Sequence, residues 1–496
     1  MAAAWIDRVE RDSAPNRAHL AAAHAALAPR LFPYQREAVD WARARGGRIL
    51  LAHEMGLGKT VTSLALMIEY RDEWPLLIVA PKAVLTQWAE EVRTWTGAAT
   101  RIQVIKKGKD QLEDVDAVIV THDILAKSQH LHRRPGDGRE WRCVILDESH
   151  KCKDPSTKRT KAILPIATRA ERCALLTGTP MPQGANDVFT QLTMALPLAA
   201  RAHLPNRHTW LRRYCELSIV NTGYREIETW KGFKPGSKTE LRRILATVMV
   251  RKRKVDVAKD MPPKIVSRLF LEAGPALRKR LNARTEQFKA MSQAEKDALE
   301  SGNHDEAAPT HVVMKLFQDN ALDRADAVVD WLVDWLDQDG DDDKEKILVF
   351  GHHKKVLDKL EAGLTAKKQG AKTIRVDGST SSNERDARIG RFKADPGCQV
   401  ALLSIGACGT GLNLTEANCV LFAEMVWSPA AHAQAEDRIH RVTQDKTCNV
   451  HYACFRDSLD DVMFNSLTSR ARQTASVVDA PPPPTQPAQP AAPVKP

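Results

Sequence analysis

Residues Leu50–Thr60 read LLAHEMGLGKT, and VTSLALMIEY follows directly. An apolar, β-rich run (Arg48–His53, RILLAH) thus leads into a glycine-rich turn and then into a helix-like segment. Gly56 and Gly58 let the backbone fold tightly enough for its N–H groups to face phosphate oxygens at a helix start. Lys59 is placed to pair with β- and γ-phosphates, and the Thr60 hydroxyl to ligate Mg²⁺. The strict phosphate-loop pattern has glycine five residues before Gly58, where this chain has His53.

Working outward, the same kind of run recurs at Leu76–Pro81, Ala117–His122, Cys143–Ser149 and Cys173–Gly178. A second series occupies Ile347–His352, Thr373–Gly378, Val400–Ile405, Cys419–Glu424 and Asn449–Cys454. Short unbroken apolar runs bounded by Gly, Pro or polar residues are expected of strands buried on both faces. Helix-like segments such as Val84–Trp95 and Asn383–Phe392 lie between them. Strand–helix alternation reads as two α/β domains with parallel sheets.

From about Arg201 to Asp326 this rhythm disappears, and helical insertions are expected. Lys231–Lys254 carries nine basic residues and one acidic residue, ending in RKRK. A solvated helix face, a nucleic-acid contact and an inter-domain brace all fit that stretch. Asp337–Asp343 (DQDGDDD) reads as a solvated turn, and Ala480–Pro496, almost all Pro, Ala and Gln, as a disordered tail.

The chain has 496 residues, 43% of them apolar and 27% charged, which is ordinary globular usage with ample core material. At ~150 residues per domain the prior is about three domains. The formal net charge is +11. Nucleic acid and a merely soluble basic surface both account for that excess. No apolar run reaches the ~20 residues of a membrane-spanning helix, and no secretory signal is evident at the start, so a soluble intracellular protein is expected. The nine cysteines are irregularly spaced without a CxxC pair, which reads as buried thiols rather than a zinc site.

Three further segments carry chemistry. CVIL runs into Asp147-Glu148-Ser149-His150, and a carboxylate at the C-terminal end of a parallel strand points into the ligand crevice of such sheets. Asp147 is placed to hold Mg²⁺ through water, and Glu148 to orient an attacking water. LLTGTP (Leu175–Pro180) is another strand ending in small hydroxyl residues. In Ser428–Gln444, residues Gln434, Arg438 and Arg441 share one face if the segment is helical. The arginines then either reach γ-phosphate charge from a second domain or form a surface salt-bridge face.

Taken in order, these elements resemble the core of superfamily 2 helicases, specifically the SNF2 family. LFPYQREAVDW is similar to the adenine-recognition segment, AHEMGLGKT to motif I (usually DEMGLGKT), LLIVAPKAVLTQWAEEV to motif Ia and AVIVTHDIL to motif Ib. DESHKCKD resembles motif II, LLTGTPMPQG motif III, ILVFGHHKKVLDKL motif IV, LLSIGACGTGLNLTEAN motif V and QAEDRIHRVTQ motif VI. RKRKVDVAKDMPPK resembles the linker between lobes. LRRYC, IRVDGSTSSNER and FAEMVWSPAAHAQAEDRIHR are most similar to the annealing-helicase (HARP-like) subgroup.

The resemblance implies two RecA-like parallel-sheet lobes with helical insertions between them. The implied divisions are an N-terminal helical extension (1–30), lobe 1 (31–250), a linker and helical insertion (251–326), lobe 2 (327–472) and a disordered tail (473–496). It implies an ATPase stimulated by DNA that translocates on duplex or forked DNA in annealing, fork remodelling or protein–DNA remodelling. Gln35 would read adenine, Gly56, Gly58, Lys59 and Thr60 would cradle the phosphates, and Thr60 and Asp147 would hold Mg²⁺. Glu148, Arg438 and Arg441 would act in hydrolysis, with Gln434 also at the nucleotide. Duplex or forked DNA is the implied partner, with replication or repair proteins beside it and a monomer favoured. A bacterial or phage setting follows from the Ala/Arg-rich composition. The alternatives are a strand-separating helicase, a remodeller of RNA polymerase, or a nucleic-acid scaffold with a vestigial ATP site.

Overall fold

The computed structural model describes residues 28–182, 184–221, 226–258, 260–291, 308–338, 345–368, 372–406, 413–441 and 443–479. Strands β1 (Arg48–Leu51), β2 (Leu76–Ala80), β3 (Ile102–Val104), β4 (Ala117–Thr121), β5 (Cys143–Asp147) and β6 (Arg172–Leu176) form the first sheet with the short β9 (Met249–Val250). Their spatial order is β3-β4-β2-β5-β6-β1-β9, and every neighbouring pair is parallel.

The unbroken apolar runs are explained by burial on both faces. Ile49, Leu51, Leu76, Ile78 and Ala80 pack into one core, and the alternating Leu50, Leu77 and Val79 into another on the opposite face. Each such Leu, Ile or Val side chain contributes ~1.5–3 kcal/mol by leaving water. Because all strands run one way, the turns after β1, β5 and β6 emerge on the same edge. β6 lies between β1 and β5, so the three motif-bearing strands are neighbours.

The second sheet comprises β10 (Lys264–Phe270), β11 (Ile347–Gly351), β12 (Lys372–Val376), β13 (Cys398–Ser404), β14 (Cys419–Phe422) and β15 (Cys448–Cys454). Its order is β10-β15-β14-β11-β13-β12, again parallel throughout. Leu348 and Phe350 enter one core while Ile347 and Val349 enter the other. The two-lobe α/β expectation therefore stands, with all ten expected strands in place.

The middle region differs from the expectation of helices alone. Glu216–Asn221 (β7) and Glu226–Lys231 (β8) form an antiparallel hairpin. β10 lies inside the stretch read as linker, yet it pairs along seven residues with β15. Ile265 and Val266 are exposed on this edge strand, and Ser267 and Arg268 interrupt its apolar residues, so it never makes the unbroken run of a central strand. The helix Ala308–Gln338 straddles the boundary placed at 326/327. The helix Leu459–Val478 runs past 472 into the segment read as tail, because Val477 and Val478 dock in the core of lobe 1 beside Leu241, Ile244 and Leu245.

Most of the N-terminal extension (1–27), the Pro/Ala-rich end (480–496), most of the acidic turn (339–344) and the glycine-containing part of the motif V segment (407–412) lie outside the described residues. All eight described cysteines are buried and unpaired. No helix among the described residues is long and apolar enough to cross a membrane.

Two chain segments connect the lobes. The linker leaves lobe 1 alongside β1, where Leu50, Ala52 and Glu54 donate their N–H groups to the carbonyls of Val248, Val250 and Lys252. It reaches lobe 2 at Pro263, whose carbonyl accepts the Cys448 N–H. The helix Leu459–Val478 makes the second connection in the reverse direction.

The RKRK stretch is part of this brace rather than a solvated helix face. Arg251 bonds the Ala52 and Gly178 carbonyls and Asp479, Lys252 pairs with Glu37, Arg253 with Asp256, and Lys254 with Asp437.

Candidate nucleotide site between the lobes

The turn after β1 has the conformation its glycines permit. Gly56 and Gly58 sit at φ 84° and 70°, in the left-handed region. Gly58 caps the helix Lys59–Ile68, so free N–H groups of the first turn face the cleft. A side chain at Gly58 would also collide with Gln35, whose Nε2 would lie 2.3 Å from an added Cβ.

Gln35 is buried. Its Oε1 accepts the Phe32 N–H at 3.0 Å and its Nε2 donates to the Leu57 carbonyl at 3.4 Å. The Tyr34 hydroxyl donates to the same carbonyl. The segment LFPYQ is thus fastened to the glycine turn itself.

Lys59 Nζ donates to the carbonyls of His53 and Glu54 at 3.0 and 3.4 Å. Burial lowers its pKa, opposed by the nearby Glu148 and Asp147 carboxylates. At the end of β5, burial and the adjacent Glu148 raise the pKa of Asp147. Its Oδ1 accepts the Glu148 N–H at 2.9 Å and its Oδ2 accepts the indole N–H of Trp88 at 3.1 Å. Glu148 is held at φ 51°, an uncommon conformation for a non-glycine residue. That turn re-aims its carboxylate, and His150 Nδ1 lies 3.2 Å from Oε2. His150 Nδ1 is also 3.0 Å from the Thr177 hydroxyl, which connects the motif II and motif III turns. Ser149 donates to Gln191 Oε1.

One cavity of about 120 Å³ is lined by Gly56, Lys59, Thr60, Trp88, Asp147 and Glu148 from lobe 1 and by Arg438 and Arg441 from lobe 2. Arg441 Nε donates to the Asp437 carbonyl at 3.0 Å. Burial and the neighbouring Arg438 push the Arg441 pKa down to about 10, so it remains a cation at neutral pH. A glycine cradle, a lysine, a hydroxyl, two carboxylates and two arginines form a donor set that fits a nucleoside triphosphate with Mg²⁺.

The motif VI segment does not form one helical face. Its helix, Pro429–Glu436, ends before either arginine. Arg438 and Arg441 are carried by the following turn, whereas Gln434 on the helix lines a different cavity, about 510 Å³, with His150, Lys151, His353, Trp427 and Arg470. The structure therefore separates Gln434 from Gly56, Lys59, Thr60, Asp147, Glu148, Arg438 and Arg441, and Gln35 and Gly58 do not line that smaller cavity either. The reason is local: the turn at Asp437–His440 rotates the chain by an amount that a 3.6-residue periodicity does not describe.

Sequence reasoning missed Trp88, Lys254 and Asp437. Trp88 had a local signal, since it lies in the first turn of the helix Leu85–Thr96 after β2. Lys254 ends the RKRK stretch for which an inter-domain brace is one reading, but its pairing with Asp437 joins distant parts of the chain and has no local signal. His53, at the variant position of motif I, is fully buried. Its Nδ1 accepts the Lys252 N–H at 3.1 Å, so the imidazole fastens the glycine turn to the linker.

A family model described as the SNF2-related domain matches residues 34–321, and one described as the helicase conserved C-terminal domain matches residues 327–443. The chain belongs to the SNF2 family. Among curated relatives, this SNF2 protein is 32% identical over 461 residues to the mouse "DNA annealing helicase and endonuclease ZRANB3", covering 91% of this chain and 41% of that protein. It is 33% identical over 456 residues to the Caenorhabditis elegans homologue of "SWI/SNF-related matrix-associated actin-dependent regulator of chromatin subfamily A-like protein 1", covering 90% of this chain and 61% of that one. The chain thus spans about two-fifths to three-fifths of the length of these relatives. Among solved structures, the Sulfolobus solfataricus SWI2/SNF2 ATPase core in complex with dsDNA matches at 22% identity and a TM-score of 0.40, covering 90% of this chain and 97% of that one.

Proposed function

We propose that this SNF2 protein is an ATP-driven DNA translocase that moves on duplex or forked DNA and acts in strand annealing or fork remodelling. The observation that carries the reading is the single cavity in which Lys59, Thr60, Asp147 and Glu148 of one lobe meet Arg438 and Arg441 of the other. A site divided between lobes ties hydrolysis to their closure.

In this reading the glycine turn and Lys59 bind the triphosphate, and Gln35 reads adenine from the segment fastened to that turn. Thr60 and Asp147 hold Mg²⁺, which supplies charge neutralisation at the phosphates when bound. Glu148 orients the attacking water, with the His150 ring 3.2 Å from its Oε2. Arg438 and Arg441 offset charge developing on the γ-phosphate.

DNA lying across both lobes would favour closure, and contacts mainly to phosphate would make binding sequence-tolerant and salt-sensitive. The mouse relative's name as an annealing helicase supports rewinding over strand separation.

The test is steady-state ATP hydrolysis without nucleic acid, then with single-stranded, duplex and forked DNA and with RNA. Strong stimulation by duplex or forked DNA is expected. A folded protein that binds DNA but hydrolyses no faster with any nucleic acid would overturn the translocase reading in favour of a scaffold.

A further inference from the structure

We infer that Lys254 is a positioning residue for hydrolysis: it pins the turn carrying Arg438 and Arg441 to the phosphate loop at the point where the chain crosses between lobes. The inference rests on the reading of the cleft as an ATPase site. It is carried by an arrangement that no single motif contains.

Lys254 is 5% exposed, and it faces two ways. Its backbone N–H donates to Glu54 Oε2 of the glycine turn at 2.5 Å. Its Nζ donates to Asp437 Oδ1 at 2.6 Å and to the His440 carbonyl at 2.5 Å. Asp437 immediately precedes Arg438, and His440 immediately precedes Arg441. A Cβ added to Gly56 would lie 3.7 Å from Lys254 Cε and 3.7 Å from Arg441 Cγ, so the lysine stem and the arginine lie against the same wall of the loop.

The far end of the linker grips the same turn. Lys264 pairs with Glu436 at 2.6 Å, and His440 Nε2 is 3.1 Å from the Pro262 carbonyl. Residues 436–440 are therefore built onto the linker, and Lys254 bonds both partners: its Nζ holds this turn and its backbone N–H holds Glu54 of the phosphate loop.

The placement suits a hinge pin. Asp437 and Lys254 are both buried, with side chains 8% and 6% exposed, and charges taken out of water are held in place only by good geometry. A pin of this kind keeps the arginines in register with the γ-phosphate position each time the lobes close. Without it, ATP still binds to lobe 1, but the arginines arrive misplaced. A displacement of about 1 Å is enough to cost ~100-fold in rate.

The experiment compares wild type, Lys254→Met, Asp437→Asn and the double variant in DNA-stimulated ATP hydrolysis, with circular dichroism as a check on folding. Each single variant is expected to lose 10- to 100-fold in kcat with the KM for ATP within about threefold of wild type. The double variant is expected to lose about as much as either single variant, because the two side chains act through one another. It leaves no unpaired buried charge, so it carries the test if a single variant fails to fold. A folded Lys254→Met, or failing that a folded double variant, with wild-type kcat overturns the inference. So does a loss confined to KM, or losses that multiply in the double variant. If wild type itself hydrolyses no ATP, the reading of the cleft fails instead, and the two failures are distinguishable in one assay.

Discussion

Trp88 donates its indole N–H to Asp147 Oδ2 across 3.1 Å, while the other oxygen of that carboxylate accepts the Glu148 N–H. Both oxygens are thereby oriented before any ligand arrives. Trp88→Phe keeps the buried ring but removes the donor, at a cost of ~1.5–3 kcal/mol for a hydrogen bond to a charged group. The Mg²⁺ concentration for half-maximal hydrolysis is expected to rise about tenfold, with folding retained. A magnesium titration of ATPase activity that overlays wild type would show that Trp88 only packs.

Glu148 sits in a left-handed turn at φ 51° with His150 beside it. Glutamine has the same shape and meets the same backbone demand, so Glu148→Gln removes only the ability to orient and deprotonate water. Turnover is expected to fall by ~10²–10⁴, with binding of a fluorescent ATP analogue within about threefold of wild type. Near-normal hydrolysis by the variant would remove Glu148 from the mechanism.

Gln35 is wedged against Gly58 by bonds to Phe32 and Leu57. Gln35→Ala is expected to raise the KM for ATP about tenfold and to erase preference for ATP over GTP. A specificity ratio that stays at the wild-type value would mean that the glutamine only braces the turn.

Much of this was legible in the sequence because parallel strands buried on both faces leave unbroken apolar runs, and every nominated strand exists. Lys59, Thr60, Asp147, Glu148, Arg438 and Arg441 meet in one cavity because each stands at a strand end or turn that the parallel sheets aim at a common edge. What stayed hidden had no local periodic signature. β10 is a half-exposed edge strand, and Gln434 was misplaced because its helix stops at Glu436. The Lys254–Asp437 pair joins the linker to lobe 2 across a long stretch of sequence, and only the folded chain brings them together.

Three buried histidines and one half-buried one should make the protein sensitive to mild acid. Burial, as the main cause, lowers the pKa values of His53, His122 and His150 to about 3 and of His432 to about 4. In the unfolded chain a histidine takes up its proton near pH 6.5. Below that pH the unfolded state binds more protons than the folded state, so stability is full above pH 6.5 and falls as pH drops toward 3 to 4. His353 has the opposite sign: its bond to Glu424 raises its pKa, so its contribution is present below pH 6.5 and is lost as pH rises through the folded value. The depressed histidines outnumber it, and net loss on acidification is expected. Each contributes a slope of up to ~1.4 kcal/mol per pH unit. His53→Gln keeps an acceptor for the Lys252 N–H but cannot titrate, so it should reduce the stability lost between pH 6.5 and 5 by about 2 kcal/mol. Urea unfolding at several pH values measures the difference. A variant curve parallel to wild type across that range would show that His53 takes no part in the acid response.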